Sequence, residues 1–268
     1  MDASPTIPSI SVAELARDMT SGRFPWLIDV RREERYAEAA DVIRGARRRQ
    51  PDSLPLWAGS LPREADIVVY CVHGHEVSQG AAAGLLQRGF RARYLADGVE
   101  GWRAAGGPLQ EKPPAEPGRW ITRARPKIDR IACPWLVRRF IDPDARFLYV
   151  PAAEVFDRAA AWQATPYDIP GADYSHDGDL CSFDAFILRH GLGDDPALAR
   201  LAAIVRAADT GRAETVPQAA GLLAVSLGLS AMLPDDDSML TQGLLIYDAL
   251  YAWCASAAGE THNWPPAA

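Results

Sequence analysis

Between Gly106 and Gly118 the chain reads GGPLQEKPPAEPG, and this segment limits what the sequence can fold into. Its prolines remove backbone donors and fix φ while its glycines loosen the chain, so periodic structure is not expected to run through it. Two domains are therefore expected, residues 1–109 and 119–268, joined by a Pro/Gly linker over 110–118. The 268 residues are enough for two cores rather than one. Charge divides unevenly between the halves: residues 1–112 hold 15 basic and 15 acidic side chains, residues 113–268 hold 13 and 20. The net charge of −7 thus belongs to the second half, and a broad phosphate-binding surface is not expected.

The first half alternates short β-rich runs with helical ones. Helices are expected over about Val12 to Met19, Glu33 to Ala39 and Ser78 to Arg88, and strands over Trp26 to Val30, Ile67 to Tyr70 and Ala92 to Leu95. Strands that are apolar throughout and separated by helices describe a parallel sheet covered on both faces, an α/β sandwich. The second half reads as mostly helical, with helices at Pro134 to Phe140, Ala152 to Trp162, Phe183 to His190, Pro196 to Ala208, Pro217 to Leu229 and Ser238 to Cys254. One strand is expected there, Arg146 to Val150. The longest apolar stretch, Ala219 to Leu233, is broken by Gly221, Ser226, Gly228 and Ser230 and is too short to span a bilayer. The opening residues, MDASPTIPSI, lack the basic and apolar regions of an export signal, and the four cysteines lie far apart. A reduced, cytoplasmic protein is the expectation.

The first candidate site is Cys71. It ends the run Ile67-Val68-Val69-Tyr70 and begins the loop Val72-His73-Gly74-His75-Glu76-Val77-Ser78, which leads into a helix of small residues. A cysteine at the C-terminal end of a parallel strand, before a helix N-terminus, meets backbone N–H groups that favour its thiolate. His73 and His75 flank Gly74 and are candidates for tuning Cys71 or delivering a proton. Three uses of the loop stay open: persulfide chemistry, metal binding by Cys-x-His-x-His, or an inactive relic.

The segments Leu27-Ile28-Asp29-Val30-Arg31, Val69-Tyr70-Cys71, Leu85 with Gly89-Phe90, and Asp97-Gly98-Val99-Glu100-Gly101-Trp102 resemble a rhodanese domain over about residues 8–109. The resemblance implies a sulfurtransferase fold in which Cys71 is the persulfide-forming nucleophile. The loop is expected to cradle the sulfur, with His73, His75 and Glu76 as candidates for the catalytic group and Gly74, Val77, Ser78, Asp29 and Arg31 as candidate substrate-contacting residues. Rhodanese loops commonly carry an arginine in this cup, whereas Glu76 and Val77 stand here, and the loop is about one residue longer. A carboxylate there opposes a dianionic substrate, which argues against phosphoryl transfer and favours sulfane-sulfur carriage over fast thiosulfate cleavage.

The second half holds the other candidates. Pro134 suits the first position of a helix, which would leave Cys133 at the N-cap with a lowered pKa; the alternative is a buried small apolar residue. Cys133 with Arg130 is thus a candidate redox or anion site. The loop from Tyr167 to Asp184 gathers Asp168, Asp173, His176, Asp177, Asp179 and Cys181 among proline and glycine. His176 with Cys181 is the leading metal-ligand pair, with Asp129, Asp209 and Asp248 as carboxylates to complete a zinc or iron site. The competing reading has a buried Asp paired with Arg130 or Arg138.

The run Arg130-Ile131-Ala132-Cys133-Pro134-Trp135-Leu136, the stretch from Ser175-His176 to Cys181-Ser182-Phe183-Asp184, Ala208-Asp209-Thr210 and Tyr247-Asp248-Ala249-Leu250-Tyr251-Ala252-Trp253 resemble the C-terminal domain of ChrB-like chromate-resistance proteins over about residues 119–255. That resemblance implies a role in tolerance or sensing of chromate or a related oxidant. The resulting expectation is a cytoplasmic sulfurtransferase or persulfide carrier linked to chromate or oxidant resistance. Its partners would be a small sulfur donor or a thiol acceptor, a protein thiol included, with neither nucleic acid nor membrane. The alternative is a metal- or oxidant-sensing binding protein with a catalytically weak rhodanese module.

Overall fold

The computed structural model describes residues 6–113 and 116–260. The first five residues of the N-terminal segment and Pro114 and Ala115 of the linker lie outside the described residues. The chain divides into two compact units. One holds residues 6–19, 23–113, 116–117 and 137–144, the other residues 20–22, 118–136 and 145–260, so the division is not a single cut in the linker.

The first unit runs β1 (Ser9–Ile10), α1 (Val12–Thr20), β2 (Trp26–Asp29), α2 (Glu33–Glu38), β3 (Asp41–Ile43), β4 (Arg47–Arg48), α3 (Leu54–Trp57), β5 (Asp66–Tyr70), α4 (Glu76–Leu86), β6 (Arg91–Leu95), α5 (Gly98–Ala104) and β7 (Leu109–Glu111). Five strands form one parallel sheet in the order β1-β6-β5-β2-β4. Alternate side chains of the central strands supply two cores, as the period of a strand requires. Ile28, Ile67 and Val69 face Leu54, Trp57, Ala82 and Leu85, while Leu27, Val68 and Tyr70 face Leu15, Val99 and Trp102. Burial on both faces explains why these strands read as unbroken apolar runs.

The linker was expected to exclude regular structure, but β7 forms across Leu109–Glu111 and pairs antiparallel with β3. The prolines flank those three residues instead of interrupting them, so every N–H the pairing needs is present.

The second unit runs β8 (Arg119–Arg123), α6 (Asp129–Phe140), β9 (Arg146–Val150), α7 (Val155–Trp162), β10 (Thr165–Pro166), α8 (Ser182–Arg189), α9 (Pro196–Asp209), α10 (Pro217–Met232) and α11 (Asp236–Ala252). It is mostly helical, but β9 is joined by β8 and β10 in a three-stranded parallel sheet rather than standing alone. Trp120, Ile121 and Thr122 of β8 are all buried, so the strand lacks the alternation that marks a half-exposed strand. Among the described residues, no helix is long and apolar enough to cross a membrane.

Candidate functional sites

In the first unit, Cys71 leaves the end of β5 and is nearly buried, with its Sγ 3.2 Å from Ser78 Oγ in the first turn of α4. Ser78 is fully buried and its hydroxyl also donates to the His75 carbonyl. His75 caps α4 without a side-chain hydrogen bond, so no capping side chain takes the first N–H groups of that helix. The loop is held from both ends. Gln79 Nε2 donates to the Gly74 carbonyl, and the amides of Val99 and Glu100 donate to the carbonyls of Cys71 and Val72. Gly74 has φ +74°, and a Cβ there would collide with the Ala96 carbonyl, so glycine is required for the loop to approach that strand end. Glu76, at the first position of α4, and His73 and His75 are exposed, and Val77 is half-buried. The two imidazole rings lie 5.9 Å apart. No group of three metal-ligating side chains forms in this loop among the described residues.

Asp29 and Arg31, expected as substrate contacts, are buried and paired with each other. Asp29 is fully buried at the end of β2 and takes a bifurcated hydrogen bond from Arg31 Nε, another from Nη2 at 2.6 Å and one from the Tyr70 hydroxyl at 3.0 Å. That hydroxyl accepts the Ile43 amide in turn, and Arg31 also donates to the Asp41 carbonyl. The pair is a structural tie between β2, β5 and β3. Burial and the adjacent Asp29 charge push the Tyr70 hydroxyl well above its ordinary pKa, so it stays a donor.

In the second unit, α6 begins five residues before Pro134. Cys133 therefore lies inside the helix, fully buried, and is not its N-cap. Burial, reinforced by the neighbouring Asp129, pushes its pKa well up rather than down. Pro134 is tolerated because the carbonyl it cannot serve, that of Arg130, accepts the Tyr167 hydroxyl at 3.3 Å. Arg130 itself pairs with Asp168 at 3.1 Å and donates to the carbonyls of Arg123 and Ala124. The Arg130 guanidinium is thus held by Asp168 and the end of β8, while Cys133 is buried inside α6.

The cluster that does assemble is centred on His176. Its Nε2 lies 3.1 Å from Asp209 Oδ2, 3.4 Å from Asp129 Oδ2 and 3.5 Å from Asp168 Oδ1. Asp129 starts α6, Asp209 ends α9, and His176 and Asp168 come from the loop before α8. Asp129 Oδ2 is buried without a hydrogen-bond partner. Burial pushes the Asp129 carboxyl up while the approach of His176 opposes the rise, and the same approach of Asp129 pushes the His176 imidazole up. Backbone strain sits next to it: Ile128, β-branched, has φ +46° and is clamped by Ser226 Oγ at its N–H and by the Tyr247 hydroxyl at its carbonyl.

Two expected ligands are absent from this group. Cys181 is buried at the N-cap of α8, in a capping box with Asp184, and Asp248 accepts the Trp135 indole N–H at 2.7 Å. Burial and the nearby Asp129 charge raise the Cys181 thiol far above its ordinary pKa. Asp173, Asp177 and Asp179 are side chains of the same loop outside the group. Asp168 was one acidic residue among several in the sequence. Its place beside His176 follows from Arg123 in β8 and Arg130 in α6, which no local spacing reveals.

The ChrB C-terminal domain family matches residues 120–254, half of the chain, and takes in every member of the His176 cluster. The chain belongs to that family. The rhodanese-like domain family matches residues 11–105, which include the Cys71 loop. Protein ChrB of Cupriavidus metallidurans is 38% identical over 138 residues, which are 52% of this chain and 41% of that protein. The chain thus matches less than half the length of that relative. Thiosulfate sulfurtransferase GlpE of Stutzerimonas stutzeri is 36% identical over 78 residues, 29% of this chain and 69% of that enzyme. A rhodanese-like domain protein from Staphylococcus aureus aligns in structure with 39% of this chain and 98% of its own, at 24% identity and a TM-score of 0.35.

Proposed function

We propose that the ChrB-family chain is a sulfane-sulfur carrier working in tolerance of chromate or a related oxidant. The observation that carries the reading is Cys71 itself: a nearly buried thiol at the C-terminal end of a central parallel strand, against the first turn of α4 and its buried Ser78. The match to a thiosulfate sulfurtransferase supports the same chemistry.

In this reading the Cys71 thiolate attacks the outer sulfur of a small persulfide or of thiosulfate. A sulfur–sulfur bond forms at Cys71, the donor's sulfur–sulfur bond breaks, and its electron pair leaves with the departing thiolate or sulfite. The Cys71 persulfide then yields its terminal sulfur to an acceptor thiolate, a protein thiol among the candidates, and the Cys71 thiolate returns. Ser78 orients the sulfur, while the exposed His73 and His75 offer proton carriers at the rim. All four cysteines are free, which suits work in a reducing compartment such as the cytoplasm.

The test is transfer from a persulfide donor to a thiol acceptor, with the wild-type chain and Cys71→Ser compared. Transfer by the wild type alone supports the reading; equal rates for both remove Cys71 from the chemistry.

A further inference from the structure

The sulfur chemistry assigned to Cys71 uses nothing in the second unit, yet four titratable side chains, His176, Asp129, Asp168 and Asp209, converge there. Three carboxylate oxygens surround one imidazole nitrogen, Nε2 of His176, at 3.1 to 3.5 Å. A single proton on Nε2 can make a well-aligned hydrogen bond to only one of them. An imidazolium ion pair therefore leaves part of the group unsatisfied, and Asp129 Oδ2 is left so: buried and without a hydrogen bond.

We propose that Asp129, His176 and Asp209 bind a divalent first-row transition-metal ion, which takes the place of the Nε2 proton. One ligand atom from each residue lies within 4.8 Å of the others. That spread suits ligands that each sit about 2.0–2.2 Å from a shared ion. The ion would meet the buried Asp129 Oδ2, which His176 approaches only to 3.4 Å without a well-formed hydrogen bond.

Asp168 plays a different part. Its Oδ1 accepts the Ser182 hydroxyl at 2.9 Å, and its Oδ2 pairs with Arg123 and Arg130, so it stands as a fixed outer carboxylate beside His176. The donor set is then one imidazole and two carboxylates, with no thiolate. Such an oxygen-rich set belongs to manganese(II) or iron(II) chemistry more than to a cysteine-bound zinc. An entry route exists, because His176 is partly exposed and lines an open cleft of about 430 Å³ with Ser175, Asp177, Leu180 and Arg189.

The test uses the full chain, stripped with a chelator and titrated with Mn²⁺ alone while the spectrum of the free ion is followed. The expected result is uptake of one Mn²⁺ per chain, lost in His176→Gln and in Asp209→Asn, and retained in Asp173→Asn, whose carboxylate is exposed on the same loop. Asp209 lies at a helix end, so its near-isosteric variant keeps the test readable if the His176 variant fails to fold. Cys71→Ser should bind Mn²⁺ as the wild type does, which separates this site from the sulfur chemistry. A wild-type chain that takes up no Mn²⁺, or equal uptake by the His176 and Asp209 variants, overturns the proposal.

Discussion

Ser78 Oγ and Cys71 Sγ stand 3.2 Å apart, brought together because β5 ends one residue before the cysteine and α4 places its third residue against it. The hydroxyl can turn its proton from the His75 carbonyl to the sulfur when the thiol ionises. A hydrogen bond of this kind contributes about 0.5–1.5 kcal/mol. Ser78→Ala should therefore slow sulfur transfer by roughly 2- to 10-fold while leaving the far-ultraviolet dichroism unchanged. An unaltered rate would reduce the contact to packing.

Two glycines near this loop should respond in opposite directions to alanine. Gly74 combines a left-handed φ with close approach to the Ala96 carbonyl, so Gly74→Ala should lower the stability of the rhodanese-like unit by about 1–3 kcal/mol. Gly80 lies inside α4 with open space where a Cβ would go, so Gly80→Ala should raise stability by about 0.5–1 kcal/mol. Urea unfolding of both variants checks the pair.

The Asp29–Arg31 tie is buried on both sides, and removing one partner strands the other charge. Asp29→Ala should cost about 3–5 kcal/mol, and a double change of both residues to apolar side chains of similar volume should cost less than the single one. A double variant as unstable as Asp29→Ala would mean that lost packing rather than the orphaned guanidinium sets the cost.

The four thiols should differ in reactivity. Burial raises the pKa of Cys133 and Cys181 far above the ordinary range and that of Cys254 to about 11, so at neutral pH these three hold almost no thiolate. Iodoacetamide at neutral pH, followed by peptide mapping, should label Cys71 first. Raising the pH toward 11 should bring in Cys254 next, because a thiol with a raised pKa becomes a nucleophile only as the pH approaches that value. Early labelling of Cys133 would contradict its place inside α6.

The α/β half was legible because its strands are buried on both faces and its turns carry glycine, so Leu27, Val68 and Leu95 announce themselves without any tertiary information. The Cys71 loop was legible for the same reason, since a strand end followed by a glycine turn and a helix is local. The second half hid more. Pro134 reads as a helix start, and only Tyr167, 33 residues away, explains how α6 absorbs it. His176, Asp129 and Asp209 were each visible as candidates, but their convergence depends on where α6 and α9 meet the loop. Cys181, half of the leading ligand pair, and Asp248, a carboxylate expected to complete it, have other partners through tertiary contacts, an N-cap and an indole N–H. Asp29 and Arg31 sat where a substrate contact was expected, and only Tyr70 and Asp41 show that their hydrogen bonds are closed inside the protein.

The central claim is that Cys71 carries sulfur. Intact-mass measurement of the native chain before and after exposure to a persulfide or thiosulfate donor, on wild type and on Cys71→Ser, tests it most directly. The account predicts a wild-type chain heavier by one sulfur atom, an adduct removed by a thiol and absent from Cys71→Ser. A wild type that gains no sulfur, or a Cys71→Ser chain that gains as much, would contradict it.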